Sequence, residues 1–285
     1  MNTTIESVAR TTRGELLRMR TWPAVWVTVG AWIALALMFG YLFGYLSYKT
    51  GDSSFATEGQ TKQALLAELM PASIPDVLVQ GTPMFGGALM MVLGAIVAGN
   101  GFGWGTWKTL FTQGPSRTST VVGSLVALTV FVVVTVAATL VLYAGVSSLI
   151  AVTESRDVVW PAIGDLSRGV GGATLVLEMW ALAGFALGTI ARGPALSVGL
   201  GLVWALVIEN LLRGVGELLG PVEALTKIMP GTAAGSLVNS LLSMPTDTPG
   251  VVDALSGQRA LVTVAVYTIA LPLIAVVLVR RRDIS

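Results

Sequence analysis

Between Arg117 and Glu154 this chain runs for 36 residues without one Asp, Glu, Lys or Arg. A helix crosses a hydrocarbon core of about 30 Å with about 20 apolar residues, so this stretch alone exceeds what one membrane span requires. Similar stretches lie between Arg20 and Lys49, between Asp76 and Lys108, and between Arg259 and Arg280. The segment from Arg168 to Arg213 holds two more if Glu178 and Glu209 are admitted inside them. The break between them falls at Ala191-Arg192-Gly193-Pro194, where Gly followed by Pro stops one helix and starts the next. Six transmembrane helices are expected, at 22–46, 83–97, 121–151, 173–190, 195–212 and 260–279. Continuous apolar runs, rather than a two-residue alternation, exclude a membrane barrel. The expected fold is an all-α integral membrane protein, with an N-terminal interfacial helix and external re-entrant or interfacial helices added to the spans.

Composition supports the same solvent. Charged residues make up 12% of the chain and the mean hydropathy is +0.78, against about 25% charged in soluble domains. The absence of Cys and His removes disulfides, thiolate and imidazole metal sites, haem ligation and His-dependent nucleophilic catalysis. No catalytic or metal-binding residue is nominated, and a net charge of +1 gives no reason to expect nucleic acid.

An even number of spans puts both termini on one side. That side carries ten basic residues against three acids, and the other seven basic residues against eleven acids, with Glu178 and Glu209 left within the membrane. By the positive-inside rule the termini are expected in the cytoplasm and the protein in the cell membrane. The first apolar run is too long for a secretory signal and is kept as a span.

Three segments are not spans. In residues 1–21, Ile5, Val8, Ala9, Leu16, Leu17 and Met19 alternate with Arg10, Arg13, Glu15, Arg18 and Arg20. Two readings stand: an amphipathic helix along the cytoplasmic interface facing anionic lipid, or a topology signal alone. Gly14 argues against a single unbroken helix. Residues 49–80 contain an amphipathic patch from Lys62 to Met70, stopped by Pro71. Residues 213–258 contain the short runs 216–219, 221–229 and 232–242, each broken by Gly or Pro. Such runs are too short to span and together are expected to form an external cap. The C-terminal segment, 280–285, is short and basic.

The loop at 99–120 is the most specific stretch. Its glycines followed by Lys108-Thr109 do not make a phosphate-binding loop, because Trp107 stands where that motif needs Gly and no strand precedes it. Physically it is an elbow: a short helix with large aromatics and Lys108, ended by Gly114-Pro115, with Arg117 ahead of the next span. One reading presents this elbow to a soluble partner. The other places its Trp side chains at headgroup level.

The run Gly105-Thr106-Trp107-Lys108-Thr109-Leu110, with Gly114-Pro115-Ser116-Arg117 after it, resembles the G-T-x-K-x-L…P-x-S-R loop of ABC-2 type transporter permeases. The likeness extends to the Arg-rich N-terminal segment with Glu15-Leu16-Leu17, and to Met229-Pro230…Ala233-Ala234-Gly235-Ser236-Leu237 ahead of the last span. Many members carry an acid just before the loop, which Asn100-Gly101-Phe102 lacks. The resemblance implies a permease subunit of an ATP-driven exporter that works as two copies with two separate ATPase subunits. In that arrangement Gly105, Thr106, Trp107, Lys108, Thr109, Leu110, Ser116 and Arg117 form the coupling contact, with Glu15, Arg18 and Arg20 on the interfacial helix. ATP and Mg would belong to the partner, and no cofactor to this chain.

Ionisable residues within the membrane cost a few kcal/mol each and need a reason. Arg213 stands four residues after Glu209, the spacing for a helical ion pair. Glu178 has no basic residue a turn away and is expected about 7 Å inside the external end of its span. It lines an exit cavity for an amphiphile, together with Glu209, or it is protonated and hydrogen-bonded within the bundle. Gly184 and Gly188 have the spacing for close helix packing within the chain. Two alternatives to the exporter remain: an ion-gradient-driven secondary transporter, against which the off-centre carboxylates argue, and an intramembrane enzyme using the same two acids.

Overall fold

The computed structural model describes residues 2–52, 61–103, 105–107, 109, 116–216, 218–243 and 248–281. Lys108 and Leu110 of the elbow, and residues 282–285, lie outside the described residues. Among those described the structure is helical, with no strand.

The helices are α1 (Asn2–Thr21), α2 (Pro23–Thr50), α3 (Lys62–Glu68), α4 (Ile74–Gln80), α5 (Thr82–Gly103), α6 (Arg117–Thr153), α7 (Ile163–Ala191), α8 (Pro194–Gly216), α9 (Gly220–Thr226), α10 (Pro230–Leu241) and α11 (Gly257–Arg281). Six of them, α2, α5, α6, α7, α8 and α11, are long and apolar enough to cross a membrane. Their exposed faces are aliphatic, as at Val134, Val141 and Leu149 of α6 and Ile269 and Leu273 of α11. Apolar surface on that scale suits a multi-pass membrane protein and not one in water.

The helix starts follow from local chemistry. Ser116 caps α6, its Oγ accepting from the Ser119 amide at 3.1 Å. Thr61 does the same for α3, and Pro occupies the first turn of α2, α8 and α10. The expected break between the fourth and fifth spans is present. Arg192, at φ 56°, ends α7 in the left-handed conformation, and Gly193 leads into Pro194.

All six expected spans exist, but several are longer than expected. α7 begins at Ile163, ten residues before the expected position, and carries Asp165 and Arg168 in its first two turns as an exposed pair at 3.2 Å. At about 43 Å this helix outruns a hydrocarbon core of about 30 Å, so its charged first turns need no place in lipid. Gly14 does not interrupt α1, which is one helix of 20 residues. The expected short run 216–219 includes Glu217, which lies outside the described residues; Gly216 ends α8 and Leu219 precedes α9.

α5 and α7 form the centre of the bundle and are mostly buried, whereas α8 and α11 lie at its edge. The two central helices meet backbone to backbone. A side chain on Gly94 or on Gly184 would put its first carbon 1.9 Å from a carbonyl oxygen of the facing helix, Ala181 and Met91 respectively. Small residues of this kind supply the van der Waals contact that holds helices together where lipid offers no hydrophobic incentive. The Gly184 and Gly188 spacing thus serves packing within the chain.

α4 and α10 are not surface elements. Ile74, Val77, Leu78 and Val79 of α4 are buried, as are Gly231 through Val238 of α10. Ser236 Oγ accepts the amides of Ala254 and Leu255 at 3.3 and 3.2 Å, and Ser243 donates to Asp76, joining the end of α10 to α4. The turn between α9 and α10 lies beside α11: the Tyr267 hydroxyl, about 15 Å along α11 from its start, donates to the Ile228 carbonyl at 2.8 Å.

Candidate functional site

Three places bring the expected residues together. The first is the elbow with its brace. Gly105, at φ 66°, turns the chain after α5, and its carbonyl accepts the Thr109 amide at 3.2 Å. Trp107 is fully buried, stacked on Phe102 with centroids 4.8 Å apart and close to Phe185 of α7 at 6.5 Å. Its ring therefore does not face a partner or the headgroups, as both sequence readings had it; it pins the elbow to the bundle. Gly105, Thr109 and Ser116 remain exposed, with Thr106 and Arg117 half-buried. Ser116 has a structural duty as the cap of α6.

The brace comes from α1, which crosses the first turns of α6 with Thr11 and Thr12 against Gly123. Its buried Glu15 pairs with Arg18 at 2.5 Å. The same guanidinium donates to the Val97 carbonyl of α5 at 3.4 Å and lies 4.5 Å above the Trp22 ring. Burial pushes the Glu15 carboxyl up, against the opposing pull of Arg18 and Ser124, and pushes Arg18 down. Arg18 thereby ties the N-terminal helix to α5, and its partner Glu15 ties it to α6 through Ser124. Arg20 is exposed, and its carbonyl accepts from Trp26 Nε1 at 2.7 Å.

Glu178 is the second place. The Thr129 hydroxyl of α6 donates to its Oε1 at 2.6 Å, while among the described residues the buried Oε2 has no hydrogen-bond partner. Because α7 starts at Ile163, Glu178 stands about 22 Å from one end of its helix and about 20 Å from the other. The expected position near the external end is corrected to the middle of the span.

The third place is Glu209, which is fully buried. The expected ion pair with Arg213 is not formed within 4 Å; Arg213 donates to Asn210 Oδ1 at 2.6 Å instead. Residues Val203–Ile208 form a π-helical stretch, whose wider turn brings residues five apart nearly into register. Trp204 Nε1 therefore donates to Glu209 Oε1 at 2.8 Å. Oε2 faces the first turn of α10, against Gly231 and Thr232. Oε2 has no hydrogen-bond partner among the described residues; its charge is offset by Arg213 at longer range and by the partial positive charge of the helix N-terminus.

Sequence reasoning missed Trp204, Gly231 and Thr232 as the partners of Glu209, and no local signal announces a π-helical stretch. It also missed a cluster at the far end of the bundle. There Lys49 contacts Glu154 at 2.6 Å, and the Tyr45 and Tyr48 hydroxyls donate to the same carboxylate, each at 3.1 Å. The spacing of Tyr45, Tyr48 and Lys49 on one helix face is a legible signal for it. The Lys49 ammonium, helped by both tyrosines, holds Glu154 below the usual carboxylate range despite burial.

Among the described residues no group of three potential metal ligands converges. No family model matches this chain, and no curated protein matches it.

Proposed function

We propose that this chain is the membrane-spanning subunit of an ATP-driven exporter of the ABC-2 type. Two copies would form the path for an amphiphilic substrate such as a drug, peptide or lipid. The observation that carries this reading is the anchored elbow. Trp107 is locked inside the bundle, Arg18 clamps α1 to α5 and Glu15 reaches Ser124 of α6, while Gly105, Thr109 and Ser116 stay outside. A loop that must transmit force from a soluble motor needs a stiff attachment and an accessible outer surface, and this one has both. The motor would be a separate pair of ATPase subunits, with ATP and Mg on their side, and this chain would have no enzymatic activity of its own.

In this reading the termini and elbow are cytoplasmic and α1 lies along the inner leaflet of the cell membrane. The α9–α10 hairpin enters from outside as a re-entrant pair, its turn stabilised by Tyr267 and Glu209. Backbone away from a continuous helix is tolerated at such depth when protein surrounds it, as it does α10.

One observation favours a second reading, ion-gradient-driven transport: Glu178 sits at the middle of its helix, with one oxygen that has no partner among the described residues. A single experiment separates the two. The chain is co-expressed with an ABC ATPase from an adjacent reading frame, purified, and reconstituted. Co-purification, with ATP hydrolysis uncoupled by Thr109→Trp on the outer surface of the elbow, supports the exporter. Uptake driven by an ion gradient in vesicles that hold this chain alone overturns it.

A further inference from the structure

α1 does not lie flush on α6. Beyond the contact of Thr11 and Thr12 with Gly123 the two helices leave an open crevice of about 500 Å³ lined by Ile5, Val8, Ala9, Thr12, Arg13 and Val126. Residues 5, 8, 9 and 12 recur with the period of one helix face. The Thr12 hydroxyl is spent on the Val8 carbonyl at 2.9 Å, so the crevice receives its methyl group. Arg13 is the one charged residue of the lining. Among the described residues it has no carboxylate within 4 Å, in contrast to Arg10, paired with Glu6, and Arg18, paired with Glu15.

The depth of the crevice fits a lipid. α6 is about 55 Å long and overhangs a 30 Å hydrocarbon core by about 12 Å at each end if centred. Val126, about 13 Å along the helix from Arg117, then stands where headgroups give way to acyl chains. From there the exposed aliphatic face of α6 continues through Val130, Val133 and Val134. The crevice is thus a side branch of the lipid-facing surface with a cation at its mouth.

We propose that this crevice is a binding site for one anionic phospholipid, its acyl chain between α1 and α6 and its phosphate on Arg13. The site rests on the six spans alone and is independent of what energises transport. Bound there, the lipid completes the packing of the helix whose Arg18 and Glu15 brace the elbow.

The test is native mass spectrometry of the purified full chain titrated with phosphatidylglycerol and, separately, with phosphatidylcholine. Expected is one phosphatidylglycerol held more tightly than phosphatidylcholine. Arg13→Gln should weaken it about fivefold, the weight of one basic residue at an anionic surface. Arg10→Gln, outside the crevice, should leave it unchanged, and Ala9→Trp, which fills the crevice, should weaken both lipids. If Ala9→Trp unfolds, Val126→Trp makes the same test from α6, and the Arg13 and Arg10 comparison decides without either. Equal binding of the two lipids, equal loss in both Arg variants, or displacement by inorganic phosphate overturns the proposal. So does a crevice variant that alters the monomer–dimer balance and not the lipid count, since the occupant is then a second copy of the chain.

Discussion

The carboxylate of Glu209 lies so close to the α-carbon of Gly231 that a methyl group added there would sit 2.0 Å from Oε2. The two residues belong to different helices, and their contact fixes the inner end of α10 against α8. A side chain at residue 231 must move either the carboxylate or the helix start. Gly231→Ala should therefore lower the stability of the detergent-solubilised protein by about 1–3 kcal/mol, the usual cost of overpacking. Combining it with Glu209→Ala should recover part of that loss, because the two changes share one contact. Thermal unfolding followed by circular dichroism measures both, and strictly additive losses would show that the contact carries no energy.

Arg18 and Glu15 illustrate a buried pair whose members depend on each other. Arg18→Ala leaves the carboxyl of Glu15 without its ionic partner and should cost about 3–5 kcal/mol, whereas replacing both by Met and Leu should be close to neutral. The same melting experiment applies. A double variant as unstable as the single one would mean that the contacts of Arg18 with Val97 and Trp22, and not the pair, hold α1 in place.

Trp107 and Thr109 are two residues apart and should behave oppositely. Trp107→Ala opens a cavity between α5 and α7 and should destabilise by about 3–5 kcal/mol. It should also expose the elbow to limited proteolysis. Thr109→Ala, at the surface, should fall within about 0.5 kcal/mol of the parent. Unchanged protease resistance in Trp107→Ala would remove the argument that this side chain stiffens the elbow.

Glu154 carries a pH dependence whose sign can be worked out. Its carboxyl is held below the ordinary value of 4.5 in the folded chain, chiefly by the hydrogen bond from Lys49. The stabilisation is therefore complete above that value and lost as pH falls through the lower, folded one. Melting temperatures taken from neutral to acid pH should fall more steeply in the parent than in Glu154→Gln. Parallel curves would show that the cluster with Lys49, Tyr45 and Tyr48 adds nothing.

Glu178 tests the transport reading. Glu178→Gln preserves the hydrogen bond from Thr129 while removing the charge. If this carboxylate lines the path, transport should drop at least tenfold while the melting temperature and dimer content stay as they were. Intact transport with loss of the folded dimer assigns it to packing instead.

The run of 36 uncharged residues, the Gly193-Pro194 break and the absence of His and Cys were sufficient to fix an all-helical chain with six potential spans. These are one-dimensional consequences of what a helix and a bilayer demand. That Glu178 needs a reason to stand within an apolar run was legible too, whereas Arg18, read as facing lipid headgroups, pairs with the buried Glu15. What those charges meet was not legible. Glu209 bonds Trp204 and lies against the first turn of α10, without a direct pair to Arg213, because a π-helical stretch in α8 rotated it inward, a change of phase that no spacing rule encodes. Glu178 proved central because α7 begins ten residues early, outside the apolar run that marks a span. Trp107 turned from partner surface to core because Phe102 and Phe185 offered it a buried face. Periodicity and charge spacing determine which segments become helices. Which faces meet, and where each carboxylate ends, depends on contacts between residues far apart in the chain, and these exist only once the helices have packed.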